Sequence, residues 1–278
     1  TPENGGRVLA SQMRFDAEQT LYVDAAARVS GDGTQEKPFK TIMEAVIARY
    51  MGAAVIYIKI KPGTYAEKIN VPRSPGTTWR FEREGTGTVS IQGMIADNAA
   101  YVVLDYLTFN APANSTEDCV QLLNCAHTSF SNVTVNGNTN LTGVSVNAGR
   151  ARFFNTNVNN CGAAIAATNG SVLALKTTGG TGNVKGLHAD SSIIVSDFYI
   201  PGASTPYEAI KGGAISVQDG HSSFPSNFAK LYPLGEFETA DALRNAIMQE
   251  FNKLGVGESR YCWFANNISE GFGPFDAD

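Results

Sequence analysis

The sequence predicts an all-β fold, a right-handed parallel β-helix, and three observations carry that expectation. The first is a repeat across residues 97–220: Ala100, Ala126, Gly149, Gly170, Ser191 and Gly212 recur at spacings of 26, 23, 21, 21 and 21. The second is a set of mostly apolar columns at fixed offsets from these anchors. Two places on stand Val102, Thr128, Ala151, Val172, Ile193 and Ala214; four places on stand Leu104, Phe130, Phe153, Ala174, Val195 and Ser216. Residues two apart share one side of a strand, so both columns are expected to line an interior. A third column, nine places on, holds Phe109, Val135, Val158, Gly179 and Ile200. The third observation is Asn132 and Asn155, six places after their anchors. Asn accepts a left-handed corner, and stacked amides can bond up a column.

The elements follow in order. Residues 1–40 form a lead-in, with a short strand at Leu21-Tyr22-Val23-Asp24 and a turn at Gly31-Asp32-Gly33-Thr34. Thr41-Ile42-Met43-Glu44 has the spacing of a capping box. Ile42, Ala45, Val46 and Tyr50 then make one apolar helix face, placed to cover the solenoid's open end, where an unpaired rung would expose a sheet edge. Helix and solenoid together occupy 41–220. Early rungs pass through 54–60, 69–71, 79–81 and 89–91. After Gly220 the pattern stops. A helix over 239–254, ended by Gly255, and a strand over 259–265 make a small α+β unit at 221–278, too short to bury a core alone.

Composition excludes several roles. Charged residues are 17% of the chain, below the roughly 25% of typical domains. A net charge of −5 without basic runs argues against a nucleic-acid partner. No apolar stretch of about 20 residues exists, so no membrane insertion is expected. There is no signal-peptide pattern, and the chain opens at Thr1, as if both ends were cut from a longer protein. Cys119, Cys125, Cys161 and Cys262 form no CxxC, so buried free thiols are expected, with no metal and no cofactor.

Tyr22-Val23-Asp24, Gly31-Asp32-Gly33-Thr34, Pro38-Phe39-Lys40-Thr41-Ile42 and Lys61-Pro62-Gly63-Thr64-Tyr65-Ala66-Glu67 form an ordered opening. It resembles the N-terminal rungs of pectin-lyase-like β-helix proteins, especially phage tailspikes and tail fibres, and pectinesterases. The resemblance covers about residues 21–72 and is specific for fold. It implies a virion protein of the phage tail, assembled in the host cytoplasm as a homotrimer, with bacterial surface polysaccharide as its partner. The alternative on the same scaffold is a polysaccharide-degrading glycosidase or lyase.

A glycosidase needs two carboxyls at a set separation, and a lyase needs a base beside a cation that neutralises the uronate. Asp105, Glu117, Asp118, Asp190, Asp197, Glu208 and Asp219 are scattered over different columns. The weak catalytic candidates are Glu117 and Asp118, the one adjacent pair, and Asp197. Asp197-Phe198-Tyr199-Ile200-Pro201-Gly202 faintly echoes a pectinesterase motif, but Asp197 shares the corner column with Asn132, Asn155 and Lys176. That scatter favours binding over catalysis. One place after the anchors stand Tyr101, His127 and Arg150, with Arg152 close by. An aromatic ring beside cationic donors suits stacking on a sugar and bonding its hydroxyls or carboxylates, so these four are the expected glycan-binding residues. Three places after the anchors, Leu173, Ile194 and Ile215 are expected to face outward, an apolar strip that calls for a cover from the C-terminal unit or another subunit.

Overall fold

The structure, a computed structural model, describes residues 18–48, 53–196, 203–217 and 222–223. The chain winds as a right-handed parallel β-helix of about seven turns. Strand β1 (Glu18–Val23) and helix α1 (Ile42–Ala48) precede the first turn, made of β2 (Val55–Ile60) and β3 (Gly63–Val71). β4 (Ser74–Arg83) and β5 (Val89–Asp97) make the second. Three three-stranded turns follow: β6 (Ala99–Asp105), β7 (Thr108–Asn110) and β8 (Val120–Leu123); β9 (His127–Ser131), β10 (Thr134–Asn136) and β11 (Thr142–Asn147); β12 (Arg150–Phe154), β13 (Asn157–Asn159) and β14 (Ala163–Thr168). The remaining strands are β15 (Val172–Lys176), β16 (Lys185–Asp190), β17 (Ile193–Ser196), β18 (Thr205–Ile210), β19 (Ala214–Val217) and β20 (Ser222–Ser223).

Like strands stack on like. Sheet I runs β1-β2-β4-β6-β9-β12-β15-β17-β19, with β20 added antiparallel at its end. Sheet II holds β7, β10 and β13. Sheet III holds β3, β5, β8, β11, β14, β16 and β18. The long β5 joins the last two, pairing β7 with its first half and β8 with its second.

The interior columns of sheet I are Val102, Thr128, Ala151, Leu173, Ile194 and Ile215, then Leu104, Phe130, Phe153, Leu175, Ser196 and Val217. All of them are buried. The first three rungs match the sequence expectation, and the upper rungs correct it by one residue. Leu173, Ile194 and Ile215 do not form an outward strip; each is fully buried in the core. The cause is the corner before β15. Two residues, Ala148 and Gly149, separate β11 from β12, whereas Asn169, Gly170 and Ser171 separate β14 from β15. Asn169 and Gly170 are successive left-handed residues (φ 55° and 76°), and the extra residue pairs Arg150 with Val172 instead of Ser171. A one-residue shift turns every later side chain to the opposite face.

The same shift runs round the turn. Asn157 bridges Gly179, so Gly180 takes the place beside Val158 that the third column assigned to Gly179. The left-handed corner column is Tyr106, Asn132, Asn155 and Thr177, not Lys176. Asn155 Nδ2 donates to Asn132 Oδ1 at 2.7 Å, the expected ladder. A second ladder was not anticipated: Asn136 Nδ2 donates to Asn110 Oδ1 at 2.8 Å, and Asn159 Nδ2 to Asn136 Oδ1 at 3.1 Å.

At the opening end the capping box is formed: Thr41 N donates to Glu44 Oε2 at 2.9 Å and Glu44 N to Thr41 Oγ1 at 3.2 Å. Glu67 reaches across from β3 and accepts from Ile42 N (2.8 Å) and Met43 N (2.9 Å), latching the helix to the first turn. Tyr65 Oη donates to the Lys61 carbonyl (2.8 Å) and accepts from Ala25 N (3.2 Å). The opening motifs therefore hold the cap in place. Ile42, Ala45 and Val46 are buried as expected. Tyr50, Asp197, Ile200, Asp219, Cys262 and the expected unit at 221–278, except residues 222–223, lie outside the described residues. Cys119, Cys125 and Cys161 are free and buried.

Candidate glycan-binding site

The site is built by the parallel register of β6, β9 and β12. Tyr101 pairs with His127, and Ala151 with Thr128, so Tyr101, His127 and Arg150 stand in one outward column on consecutive rungs. The next outward column carries Val103, Ser129 and Arg152. Rungs repeat every ~4.8 Å, close to the spacing of stacked rings. The Tyr101 and His127 rings stack at 4.8 Å between centroids and 5° between planes.

Arg152 locks the arrangement. Its Nε donates to Ser129 Oγ at 3.0 Å, and a terminal nitrogen donates to Tyr101 Oη at 3.3 Å, across two rungs. His127 Nε2 is buried with no hydrogen-bond partner among the described residues. Burial, then the charges of Arg152 and Arg150, push the imidazole pKa down to about 4, so it is neutral at ordinary pH. The structure thus brings all four predicted residues to one patch and adds Ser129. Ser129 was missed, although its place two after His127 on the same strand marks it.

Beside this column lies a groove of about 360 Å³ over the corner between sheets III and I. Ala126, Ala148, Gly149 and Gly170 keep it open, and Arg150 and Val172 form part of its lining. On the other side of the patch, Arg80 lies over the Tyr57 ring at 5.4 Å and donates to Glu82 Oε1 at 2.7 Å. Lys59 bonds to the same carboxylate. Burial raises the Glu82 pKa, but these two cations outweigh it and hold the carboxyl below its usual range. This cluster precedes the repeat, which is why the alignment of Tyr57 and Arg80 with the Val103, Ser129 and Arg152 column was not legible.

The described carboxylate candidates are engaged elsewhere. Exposed Glu117 pairs with Lys68 at 2.6 Å, which holds its pKa low. Its neighbour Asp118 accepts from Thr142 N at 2.9 Å. Asp105 accepts from Asn132 Nδ2 at 3.3 Å, and Asp190 pairs with Lys211 at 2.8 Å. Glu208 pairs with Lys185 at 2.6 Å; His188 Nδ1 lies 2.8 Å from the same oxygen but poorly aligned as a donor. These contacts are cross-rung supports, and none aims two carboxyls at a shared space. Among the described residues no group of three or more His, Cys, Asp or Glu could hold a metal. No described helix is long and apolar enough to cross a membrane.

No protein-family model and no curated protein matches the chain. Among solved structures it is similar to pectate lyase Pel9A, at 16% sequence identity and a TM-score of 0.41, over 71% of this chain. The matched region spans 61% of that lyase's length. The parallel β-helix therefore stands on the strand pairing of the chain itself.

Proposed function

We propose that this chain is the structural and host-surface glycan-binding segment of a phage tail fibre or tailspike, a homotrimer carried in the virion. The observation that carries the binding role is the Tyr101–His127 stack with Arg152 bonded across it, an outward aromatic and cationic patch on a rigid sheet. The tail assignment and the three chains are supported by the opening motifs, through their resemblance to tailspikes and fibres. Stacking and charge-assisted bonds of about 1–3 kcal/mol each give weak affinity per chain. Three chains engaging one surface raise it by multivalency.

The test is adsorption to host cells or their purified surface glycan. Tyr101→Ala and Arg150→Ala are each expected to weaken it at least fivefold, about 1 kcal/mol. Unchanged adsorption by correctly folded variants would move the receptor site elsewhere on the chain. New reducing ends or unsaturated uronate in the incubated glycan would place the chain among depolymerases instead.

A further inference from the structure

We propose that Arg152 and His127 recognise an anionic oxygen group on the bound glycan, and that His127 takes up a proton as that group binds. This rests on the glycan-binding role above and adds the chemistry of the ligand. Six of the fourteen cations described have a carboxylate partner. Lys59 and Arg80 share Glu82, and Lys61, Lys68, Lys185 and Lys211 pair with Asp24, Glu117, Glu208 and Asp190. Arg152 differs. Half-buried, it is held by two neutral hydroxyls, and no described carboxylate pairs with it. A guanidinium oriented in advance and lacking a counter-charge is a receptor for carboxylate, sulfate ester or phosphodiester oxygens.

His127 completes the receptor. The groups that face it are Tyr101 from β6, and Arg150 and Arg152 from β12. Neighbouring acids are occupied: Asp105, at the far end of β6, accepts from Asn132, and Asp97, at the end of β5, accepts from Asn98 at 2.5 Å. Burial first, and then the two cations, keep the free ring neutral. An anion seated on Arg152 offsets that repulsion and offers an acceptor, so protonation becomes easier in the complex. One proton moves from solvent to the imidazole; no covalent bond changes. By linkage, affinity rises as pH falls through the bound-state pKa and is flat above it.

The probes are short dextran, carboxymethyl-dextran and dextran sulfate, one backbone without charge or with two kinds of anion. Calorimetry at fixed ionic strength is run at pH 7.5 and 5.5, in buffers of different ionisation heat. At least one charged dextran is expected to bind tenfold or more tighter than dextran. Its affinity is expected to gain threefold or more at pH 5.5, with proton uptake visible in the buffer dependence. Whichever charged dextran wins identifies carboxylate or sulfate ester as the better match. Arg152→Gln is expected to abolish the preference. His127→Phe, which keeps a ring on Tyr101 but cannot be protonated, is expected to abolish the pH gain; His127→Gln serves if Phe disturbs the fold. Failure of both charged dextrans to bind more tightly than dextran, or a pH gain that persists without His127, overturns the inference. Host-cell adsorption of the same variants is measured in parallel. Adsorption that needs Tyr101 while the charged dextrans show no advantage sinks only the anion inference; adsorption that ignores Tyr101 sinks the binding role itself.

Discussion

Phe130 and Phe153 lie on consecutive rungs with centroids 4.4 Å apart and essentially no exposure. Replacing either with Ala empties a site that the neighbouring rungs cannot collapse into without breaking their ladder, so a loss of about 3–5 kcal/mol is expected in urea unfolding. An unchanged midpoint would put these rings outside the core. His127 adds a pH term of known sign. Its folded pKa is about 4, below the ordinary 6.5, so between those values the unfolded chain holds more protons than the folded one. Stability is therefore full above about pH 6.5 and falls as pH drops towards 4, by at most about 1.4 kcal/mol per unit from this residue. His127→Phe is expected to make that decline shallower, and an identical slope in the variant would contradict the burial of the ring. These residues were legible because their rungs follow anchors Ala126 and Gly149, before the register changes.

At the scale of the element, the corners decide what the strands present. Gly170 and Gly180 need glycine for different reasons, and the difference can be measured. Gly170 has open space around its Cα and φ 76°, so Gly170→Ala is expected to cost only the left-handed penalty, about 1–2 kcal/mol. A methyl on Gly180 would collide with the Val158 carbonyl of the rung beneath, so Gly180→Ala must displace a rung and is expected to cost more than Gly170→Ala. Thermal unfolding of the two variants checks the order, and equal losses would mean that the corner at 180 can yield. The same corners explain where the sequence misled. Gly149, Gly170 and Gly212 look alike as anchors, yet Gly170 is an inserted left-handed residue and the equivalent of Gly149 is Ser171. A spacing of 21 between glycines concealed a change in corner length, because periodicity counts residues and does not see φ. Asn132 and Asn155 were legible for the opposite reason: their side chains both tolerate the corner and bond along it.

For the whole molecule, the corrected register changes what an oligomer has to do. The positions on the outward side of the upper rungs are Val172, Ile193 and Ala214, then Ala174, Val195 and Ser216; Ile193 and Ser216 are half-buried and the other four are buried within one chain. Among the described residues of these rungs, the apolar outward positions are therefore largely covered within one chain. What three chains would add is reach. One patch of Tyr101, His127 and Arg152 spans three rungs, about 10 Å, enough for roughly two sugar units. Such a contact dissociates readily, whereas linked copies rebind at effective concentrations in the millimolar range. Light scattering is expected to give three times the 29.6 kDa chain mass, with the Tyr101→Ala trimer unchanged in mass and weakened in adsorption. A stable species of one chain mass would overturn the trimer. Attachment would then rest on a single patch per chain, and adsorption of the isolated chain would be as weak as that one contact.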